Sequence, residues 1–237
     1  MIPQKLPQGY YTKSGTVLLR KDSSKEGLSL LLFLRSFGPR WVSAPSGAGK
    51  NRFGGAAEPL IWGEFSLYQS PSRLYLQSVA VKEDFLTLRK TPGPLITAMK
   101  LYRLVSDEAP RDCENDALLR LIWSTMLQLC EGCPPQIVEF RFAWRFLNNM
   151  GVAPSLDLCS ECGAKLVNGG YITPQGVFCE RCARGTGGFL PPALLSELRT
   201  AAGLAHEKFI QWSREPRPLD GYKESFKKLS PYFRNMR

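Results

Sequence analysis

Two Cys-x-x-Cys motifs in the second half of the chain constrain its fold more than any other feature. Cys159 and Cys162 form the first motif, Cys179 and Cys182 form the second, and 16 residues separate the two. This spacing is typical of a four-cysteine zinc site, because each motif turns two thiolates toward one cation. Four thiolates complete the tetrahedral coordination of Zn²⁺ and leave no position for water. We therefore expect one structural Zn²⁺, within a ribbon at about residues 157–184.

A third motif of this kind, Cys130-x-x-Cys133, has a different interpretation. No second pair lies near it, and the nearest further cysteine is Cys113. It precedes two prolines at a predicted helix end, so we expect a chance motif whose cysteines are partly buried. The chain has seven cysteines in all, and an odd number without a secretory leader favours reduced thiols over a disulfide framework.

Positive charge is concentrated toward the two ends of the sequence. The chain carries 31 Lys and Arg against 21 Asp and Glu, which gives a formal net charge of +10. Residues 1–80 hold 10 basic and 4 acidic side chains, residues 191–237 hold 9 and 5, and the middle is close to neutral. An excess of this size predicts a polyanionic partner such as nucleic acid.

Residues 1–82 are predicted to form five short strands. The strand-like runs are Gly15–Lys21, Leu28–Arg35, Arg40–Ala44, Leu60–Tyr68 and Arg73–Val81. Turn residues separate these runs, and no helical period intervenes. Five strands in this length fit a small closed barrel, and we predict an OB-fold. Strand number alone leaves another five-stranded barrel, such as an SH3-like one, as an alternative.

After Pro94 the apolar residues follow a helical period. The predicted helices are Leu95–Ser106, Asp116–Glu131, Gln136–Met150, Ala193–Leu204, Leu204–Trp212 and Tyr222–Phe233. The helix over Gln136–Met150 is apolar on two faces, so we expect it to be buried at the centre of its domain. The sequence thus predicts an α+β chain, with an N-terminal five-stranded OB-fold β-barrel and, over residues 83–237, a C-terminal α-helical domain carrying the four-cysteine zinc ribbon.

The predicted barrel combines basic and aromatic residues, as binders of single-stranded nucleic acid do. Cations contact the phosphates, and each base stacked on an aromatic ring contributes about 1–3 kcal/mol. The candidate DNA-binding cations are Arg20, Lys21, Arg35, Arg40, Lys50, Arg52 and Arg73. The aromatic residues among them are Phe33, Phe37, Trp41, Phe53, Tyr68 and Tyr75. Solvated charge around an aromatic core is the alternative explanation for part of this set.

Several enzyme classes need residues that this sequence lacks. His206 is the single histidine, and no Gly-x-Ser-x-Gly nucleophile motif is present, so we interpret His206 as a solvated helix residue. The stretch Ala44–Asn51 resembles a phosphate-binding loop but lacks the first Gly and the Ser or Thr after Lys50. The acidic residues within 107–116 are explained more simply by an exposed loop and helix start than by a nuclease site. We therefore expect a non-catalytic protein.

The sequence also predicts a cytoplasmic location. Its first 15 residues are too polar for a secretory leader. The longest apolar run, Leu28–Leu34, is far shorter than the roughly 20 residues that span a bilayer.

One junction in the sequence is more specific than its composition. The predicted buried helix ends in Leu-x-x-x-Gly-x-x-Pro at Pro154 and runs directly into the first cysteine motif at Leu158–Gly163. Upstream, Gly15–Arg20 precedes an apolar strand that ends at Gly38, followed by a loop with basic residues and the strand start at Glu58. In these features the chain resembles the RecO family of bacterial DNA-repair and recombination mediators.

The resemblance implies an N-terminal OB-fold, a helical domain with the zinc ribbon, and no enzymatic turnover. It implies a mediator that binds single- and double-stranded DNA, anneals complementary strands, and helps to load the recombinase RecA onto strands coated with single-stranded DNA-binding protein (SSB). The implied partners are RecR and the C-terminal tail of SSB, in a bacterial, nucleoid-associated location.

The C-terminal tail of SSB is acidic in this family, and we place its binding site in residues 191–237. The cations there include Lys223, Lys227, Lys228 and Arg234. The alternative function is that of a zinc-ribbon protein–protein adaptor with little DNA binding of its own.

Overall fold

The computed structural model describes residues 5–23, 27–44 and 53–234. The predicted DNA-binding residues Lys50 and Arg52 lie outside the described residues. Contacts group the chain into two compact units, Met1–Trp123 and Ser124–Arg237. Among the described helices, none combines the length and hydrophobicity required to cross a bilayer.

Five strands of the first unit close into a barrel. They are β1 (Gly9–Ser23), β2 (Gly27–Leu34), β3 (Gly38–Ala44), β4 (Trp62–Gln69) and β5 (Leu74–Glu83). Their order around the barrel is β1-β2-β3-β5-β4, and β4 pairs with β1 to complete it. A short 3-10 helix at Gly54–Ala57 precedes β4. This order and closure confirm the predicted five-stranded barrel.

Strand β1 is longer than its apolar pattern indicates, because it serves two partners. Residues Gly9–Thr16 pair with β4, whereas Gly15–Ser23 pair with β2. The first half is rich in polar and tyrosine residues, which is why an apolar pattern found the strand only from Gly15 onward. A bulge between Val17 and Leu19 then shifts the register of the second half.

Alternation along the strands separates the barrel core from its outer face. Apolar side chains of every strand form the buried core, and these include Val17, Leu30, Leu32, Val42, Phe65, Leu67 and Leu76. The second half of strand β3 shows the pattern, since Trp41 is exposed, Val42 and Ala44 are buried, and Ser43 between them is half-buried.

Three helices follow the barrel, namely α1 (Leu86–Arg89), α2 (Pro92–Glu108) and α3 (Asp116–Cys130). Helix α2 is joined to the barrel through buried polar groups. The Thr16 hydroxyl donates to the carbonyl of Ile61 at 2.8 Å and lies 2.9 Å from the Tyr102 hydroxyl. Burial raises the pKa of Tyr102, so this phenol stays protonated and hydrogen-bonded.

The second unit holds a small sheet and most of the helices. Its elements are α4 (Pro135–Asn149), β6 (Gly170–Thr173), β7 (Gly176–Phe178), α5 (Glu180–Ala183), β8 (Gly188–Leu190), α6 (Pro192–Gly203), α7 (His206–Ser213) and α8 (Asp220–Arg234). Most side chains of α4 are buried, as its two apolar faces predicted. The structure is therefore α+β, with a strand-rich N-terminal part and a mainly helical C-terminal part.

Two arginines of α4 cap the end of α6. Arg141 donates to the carbonyls of Ala201, Ala202 and Leu204, and Arg145 donates to those of Ala202 and Leu204 at 2.9 and 2.8 Å. Cations suit this position because the last carbonyls of a helix carry partial negative charge. Burial, followed by the nearby charge of Arg145, lowers the pKa of Arg141 to about 9.

His206 lies in a helix, as predicted, but it is less solvated than the sequence suggested. It is half-buried at the start of α7, and its Nδ1 lies 3.2 Å from Nε2 of Gln128. The predicted domain boundary between residues 82 and 83 stays a prediction.

Gly38 provides a test of the first unit. Its φ of +71° is in the left-handed region, and a Cβ there would lie 1.8 Å from the backbone oxygen of Cys113. We expect Gly38→Ala to lower the free energy of unfolding by about 2–4 kcal/mol, from the conformational cost and the clash together. Urea unfolding followed by circular dichroism measures the effect.

The matched control is Gly55→Ala, because a Cβ at Gly55 meets nothing within 4 Å. Equal losses in the two variants would contradict this explanation.

Candidate metal centre and nucleic-acid interface

The four cysteines of the two predicted motifs converge on one point. The Sγ atoms of Cys159, Cys162, Cys179 and Cys182 all lie within 4.8 Å of one another. The Sγ atoms of Cys162 and Cys179, which come from different motifs, are 3.8 Å apart. A tetrahedral ion with metal–sulfur bonds of about 2.3 Å requires sulfur–sulfur edges of about 3.8 Å. The cluster therefore has the donor set and the dimensions to hold one tetrahedral metal ion.

Backbone hydrogen bonds shape each cysteine pair into a tight turn. In the first pair, the Cys159 N–H donates to Ala164 and the Gly163 N–H donates back to the Cys159 carbonyl, at 2.8 and 3.0 Å. In the second pair, the N–H groups of Cys182 and Ala183 donate to the Cys179 carbonyl at 3.1 and 2.9 Å. Each turn thus presents its two thiols to the same side.

A three-stranded sheet holds the two turns together. Strand β6 pairs with β7 and with β8, a strand that the sequence analysis did not find because it has three residues. The Ser160 N–H donates to the Val177 carbonyl at 2.9 Å, and the Val177 N–H donates to the Ser160 hydroxyl at 3.2 Å. A Cβ at Gly176 would lie 2.3 Å from this hydroxyl oxygen, so the close approach requires glycine.

The electrostatics of the cluster favour a bound cation. Although burial acts in the opposite direction, backbone donors from Cys162 and Cys179 lower the pKa of Cys159 to about 6. Burial and hydrogen bonding with the other thiols raise the pKa of Cys182 to about 12. Thiols this close cannot all ionise by themselves, whereas a divalent ion allows four thiolates to coexist.

The other three cysteines lie outside this cluster. Cys113 and Cys133 are buried, and Cys130 is half-buried. Burial raises the pKa of the Cys133 thiol, which keeps it protonated and unreactive.

The outer face of the barrel carries a continuous cross-strand row of side chains, which we call the tyrosine row. Successive register pairs link Tyr10, Tyr68, Tyr75, Ser43, Ser29 and Lys21 across all five strands. The rings of Tyr10 and Tyr68 are 4.9 Å apart, and Tyr10 is 80% exposed. Tyr68 and Tyr75 are half-buried, so each of the three rings keeps an accessible surface on which a base can stack.

A groove of about 360 Å³ lies beside the tyrosine row. Its lining includes Ser43 of the row together with Trp41 and Arg73. Trp41 is 41% exposed, and Nζ of Lys21 lies 5.0 Å from its ring centroid. Aromatic and cationic groups are therefore adjacent on this face, as a stacking platform for nucleic acid requires.

The structure separates the predicted DNA-binding cations into two groups. Lys21, Arg35 and Arg73 are exposed. Arg20 is paired with Asp22 and Glu58.

Arg40 is 7% exposed, and its Nη1 lies 3.2 Å from Oδ1 of Asp112. Burial lowers the pKa of Arg40 while the Asp112 charge opposes the shift. Arg40 is thus buried and Arg20 half-buried, each in an ion pair with an acidic residue, whereas the exposed Lys21 and Arg73 flank the tyrosine row and its groove.

The aromatic candidates divide in the same way. Phe33 and Phe37 are buried, and Phe53 packs against the barrel core, whereas Tyr68 and Tyr75 lie on the outer face. The most exposed ring of the row, Tyr10, was missed because its strand segment is too polar to be recognised as a strand. The sequence signal was the spacing of Tyr10, Thr12 and Ser14 at every second position, which puts them on one face of a strand.

Comparison with known families identifies the helical part of the chain. Residues 89–217 match the family described as "Recombination protein O C terminal", and this segment contains the whole cysteine cluster. The chain belongs to the RecO family. This match confirms the resemblance to the RecO family that the helix–cysteine junction indicated.

Curated RecO relatives are distant in sequence. The chain is 28% identical to "DNA repair protein RecO" of Syntrophobacter fumaroxidans, over 65% of this chain and 63% of the relative. It is 26% identical to the protein of that name from Bacillus pumilus, over 71% and 66%. The Dehalococcoides mccartyi protein is 28% identical, over 56% and 54%. The chain thus matches less than two thirds of the length of these RecO proteins.

Replacement of one cysteine tests the metal centre of this RecO-family chain. We expect Cys162→Ser to reduce the metal content from one ion per chain to nearly none, because a tetrahedral site loses one of four donors. The second unit should also unfold at a lower denaturant concentration. Metal content is measured by mass spectrometry of protein purified without chelators.

Cys130→Ser is the control, because Cys130 lies outside the cluster. Equal metal loss in the two variants, or a metal-free wild-type protein, would contradict the assignment.

Proposed function

We propose that this protein is a non-catalytic, DNA-binding recombination mediator in DNA repair. Membership of the RecO family supports the repair role, since the curated relatives carry the name "DNA repair protein RecO". The observation that carries DNA binding is the tyrosine row, which combines the exposed ring of Tyr10 and two half-buried tyrosine rings with Lys21 at its end. Enzymatic turnover is not part of the proposal.

DNA binding in this proposal uses the outer face of the barrel, within residues 1–82. Bases of a single strand stack on Tyr10, Tyr68 and Tyr75, while Lys21 and Arg73 contact phosphates. Phosphates are accessible on both single- and double-stranded DNA, so these cations can bind either form, independently of base sequence. Lys50 and Arg52 are further phosphate contacts in this proposal.

Strand annealing follows from the same surface. Two complementary strands repel each other through their phosphates, and cations that contact both strands reduce this repulsion. The finer steps implied by the family are part of the proposal, namely cooperation with RecR and help in loading RecA onto SSB-coated strands. The proposed location is the bacterial cytoplasm, associated with the nucleoid.

The C-terminal tail of SSB is a proposed partner of residues 191–237. Helix α8 supports this assignment, because its buried residues Tyr222 and Leu229 alternate with exposed Lys223 and Lys227. A basic helix face suits an acidic peptide.

The proposed ion in the cysteine cluster is one structural Zn²⁺. An all-thiolate, tetrahedral donor set is a typical zinc site. Such an ion would join the two cysteine turns and leave no coordination position for a substrate. Its contribution is to the stability of the ribbon, and the barrel residues carry the DNA contacts.

A second candidate function is that of a protein–protein adaptor with little DNA binding. The exposed apolar residues Leu158, Val167 and Phe189 around the ribbon favour it. The two functions differ in one measurement, because an adaptor retains its protein partners but shows no salt-dependent affinity for DNA.

The salt dependence of DNA affinity tests the electrostatic part of the proposal. For single-stranded DNA the logarithm of the binding constant should fall with the logarithm of salt concentration, by about 0.7 per phosphate contact. We expect Lys21→Ala to reduce this slope by about 0.7, measured by fluorescence anisotropy with a labelled oligonucleotide.

Lys82→Ala is the matched control, because Lys82 is an exposed lysine of the same barrel that lies outside the tyrosine row. A slope near zero for the wild-type protein would refute phosphate binding.

The stacking part of the proposal has a separate test. Tyr10→Leu keeps an apolar side chain at an exposed position but removes the ring, so it should not affect folding. We expect it to weaken binding to single-stranded DNA by about 1–3 kcal/mol and to leave the salt slope unchanged. Wild-type affinity in this variant would show that bases do not stack on Tyr10.

A further inference from the structure

A second pocket lies on the first unit, outside the tyrosine row. It has a volume of about 340 Å³, and its lining consists of Ser14, Arg35, Trp62, Asp116, Leu119, Arg120 and Trp123. All of these residues belong to the same compact unit. The DNA-binding surface described above uses neither tryptophan. A volume of this size accommodates one small ligand or one inserted group of a larger one.

Two indole rings form the apolar wall of this pocket. The ring centroids of Trp62 and Trp123 are 4.9 Å apart, and the planes are inclined by 54°. Phe85 packs on Trp123 at 5.4 Å and fixes its position. Both tryptophans are half-buried, so part of each ring is accessible. An accessible, immobilised indole is a stacking surface for a planar ring.

Charged groups surround the indoles. Arg120 is exposed, and the Arg35 side chain is 72% exposed with its Nε 3.8 Å from Oδ2 of Asp116. Asp116 also accepts a hydrogen bond from the backbone N–H of Ser36 at 2.7 Å. A carboxylate has lone pairs for further donors beyond this one. The pocket therefore presents aromatic rings, two guanidinium groups and one acceptor.

We propose that this pocket takes one unstacked nucleotide of a bound DNA strand. The base stacks against Trp62 and Trp123, and its phosphate pairs with Arg35 and Arg120, since guanidinium groups match phosphate geometry. Asp116 accepts from an N–H group on the base edge. An acidic peptide containing Phe suits the pocket less well, because it offers carboxylates to the two arginines but no N–H group on the edge of a stacked ring for Asp116.

The pocket can be reached from the tyrosine row along one strand. Ser14 and Tyr10 are both on the outer face of β1 and are four residues apart, which corresponds to about 13 Å. A DNA strand that stacks on the row can therefore place a neighbouring nucleotide in the pocket. The inference rests on the proposed DNA binding and adds to it a preference for an unpaired base.

The experiment uses the full chain and two fluorescein-labelled duplexes, one fully paired and one with a single unpaired 2-aminopurine. We expect the wild-type protein to bind the second duplex more tightly and to change the 2-aminopurine fluorescence. Trp123→Leu and Arg120→Gln should each weaken binding to that duplex about five- to tenfold and leave the paired duplex unaffected. Arg120 is exposed, so its replacement tests the pocket without disturbing the core.

Arg103→Gln is the matched control, because Arg103 is another exposed helix arginine but pairs with Asp107 on α2. It should bind both duplexes like the wild-type protein. If the wild-type protein binds both duplexes equally and Trp123→Leu changes neither affinity, the pocket takes no nucleotide, while the DNA-binding proposal stands.

Two further results would overturn the inference. If the wild-type protein binds neither duplex, the inference and the proposed function both fail. Suppose instead that Trp123→Leu and Arg120→Gln lose affinity for a labelled peptide of alternating Asp and Phe, but retain wild-type affinity for the duplex with the unpaired base. The pocket is then a peptide site.

Discussion

Closure of the barrel through β1 is the constraint on which the N-terminal half depends. One strand pairs with β4 along its first half and with β2 along its second, so the backbone polar groups of the sheet are largely used within the barrel. Ligands must then be recognised by outward-pointing side chains. Because side chains alternate between the two faces in these parts of β3, β4 and β5, the same register that buries Val42 and Leu76 aligns Tyr68 and Tyr75 on the outside. Core packing and the proposed DNA surface are thus two results of one pairing pattern.

The ribbon is stabilised in a different way from the barrel. Its strands have three or four residues each, too few to bury a core of their own. The hydrogen bonds between Ser160 and Val177 bring the cysteine turns together, and thiolate repulsion opposes that approach. A bound cation would convert this repulsion into attraction. Local geometry, together with the proposed metal coordination, therefore adds to the burial of apolar residues such as Val177 and Leu190 in this part of the chain.

Residue spacing predicted the cysteine cluster because ligand geometry is encoded locally, within two short turns. The strands were predictable for a similar reason, since alternation is visible over a few residues. The face of the barrel on which each cation lies was not predictable. The bulge after Val17 places Arg20 opposite the inward Leu30 and Lys21 opposite Ser29. Without it, the two cations would exchange faces, and no local pattern reveals the bulge. The burial of Arg40 likewise depends on Asp112, which is distant in sequence.

The seam between β3 and β5 has a further consequence. These two strands pair in parallel at Ser43 and Tyr75, whereas β4 and β5 pair along most of their length. Fewer ladder hydrogen bonds mean a lower free energy of local opening, so amide hydrogens beside this seam should exchange fastest within the sheet. The tyrosine row crosses the seam at that pair. A DNA strand bound across this pair would bridge β3 and β5 and slow the local opening of the barrel between them.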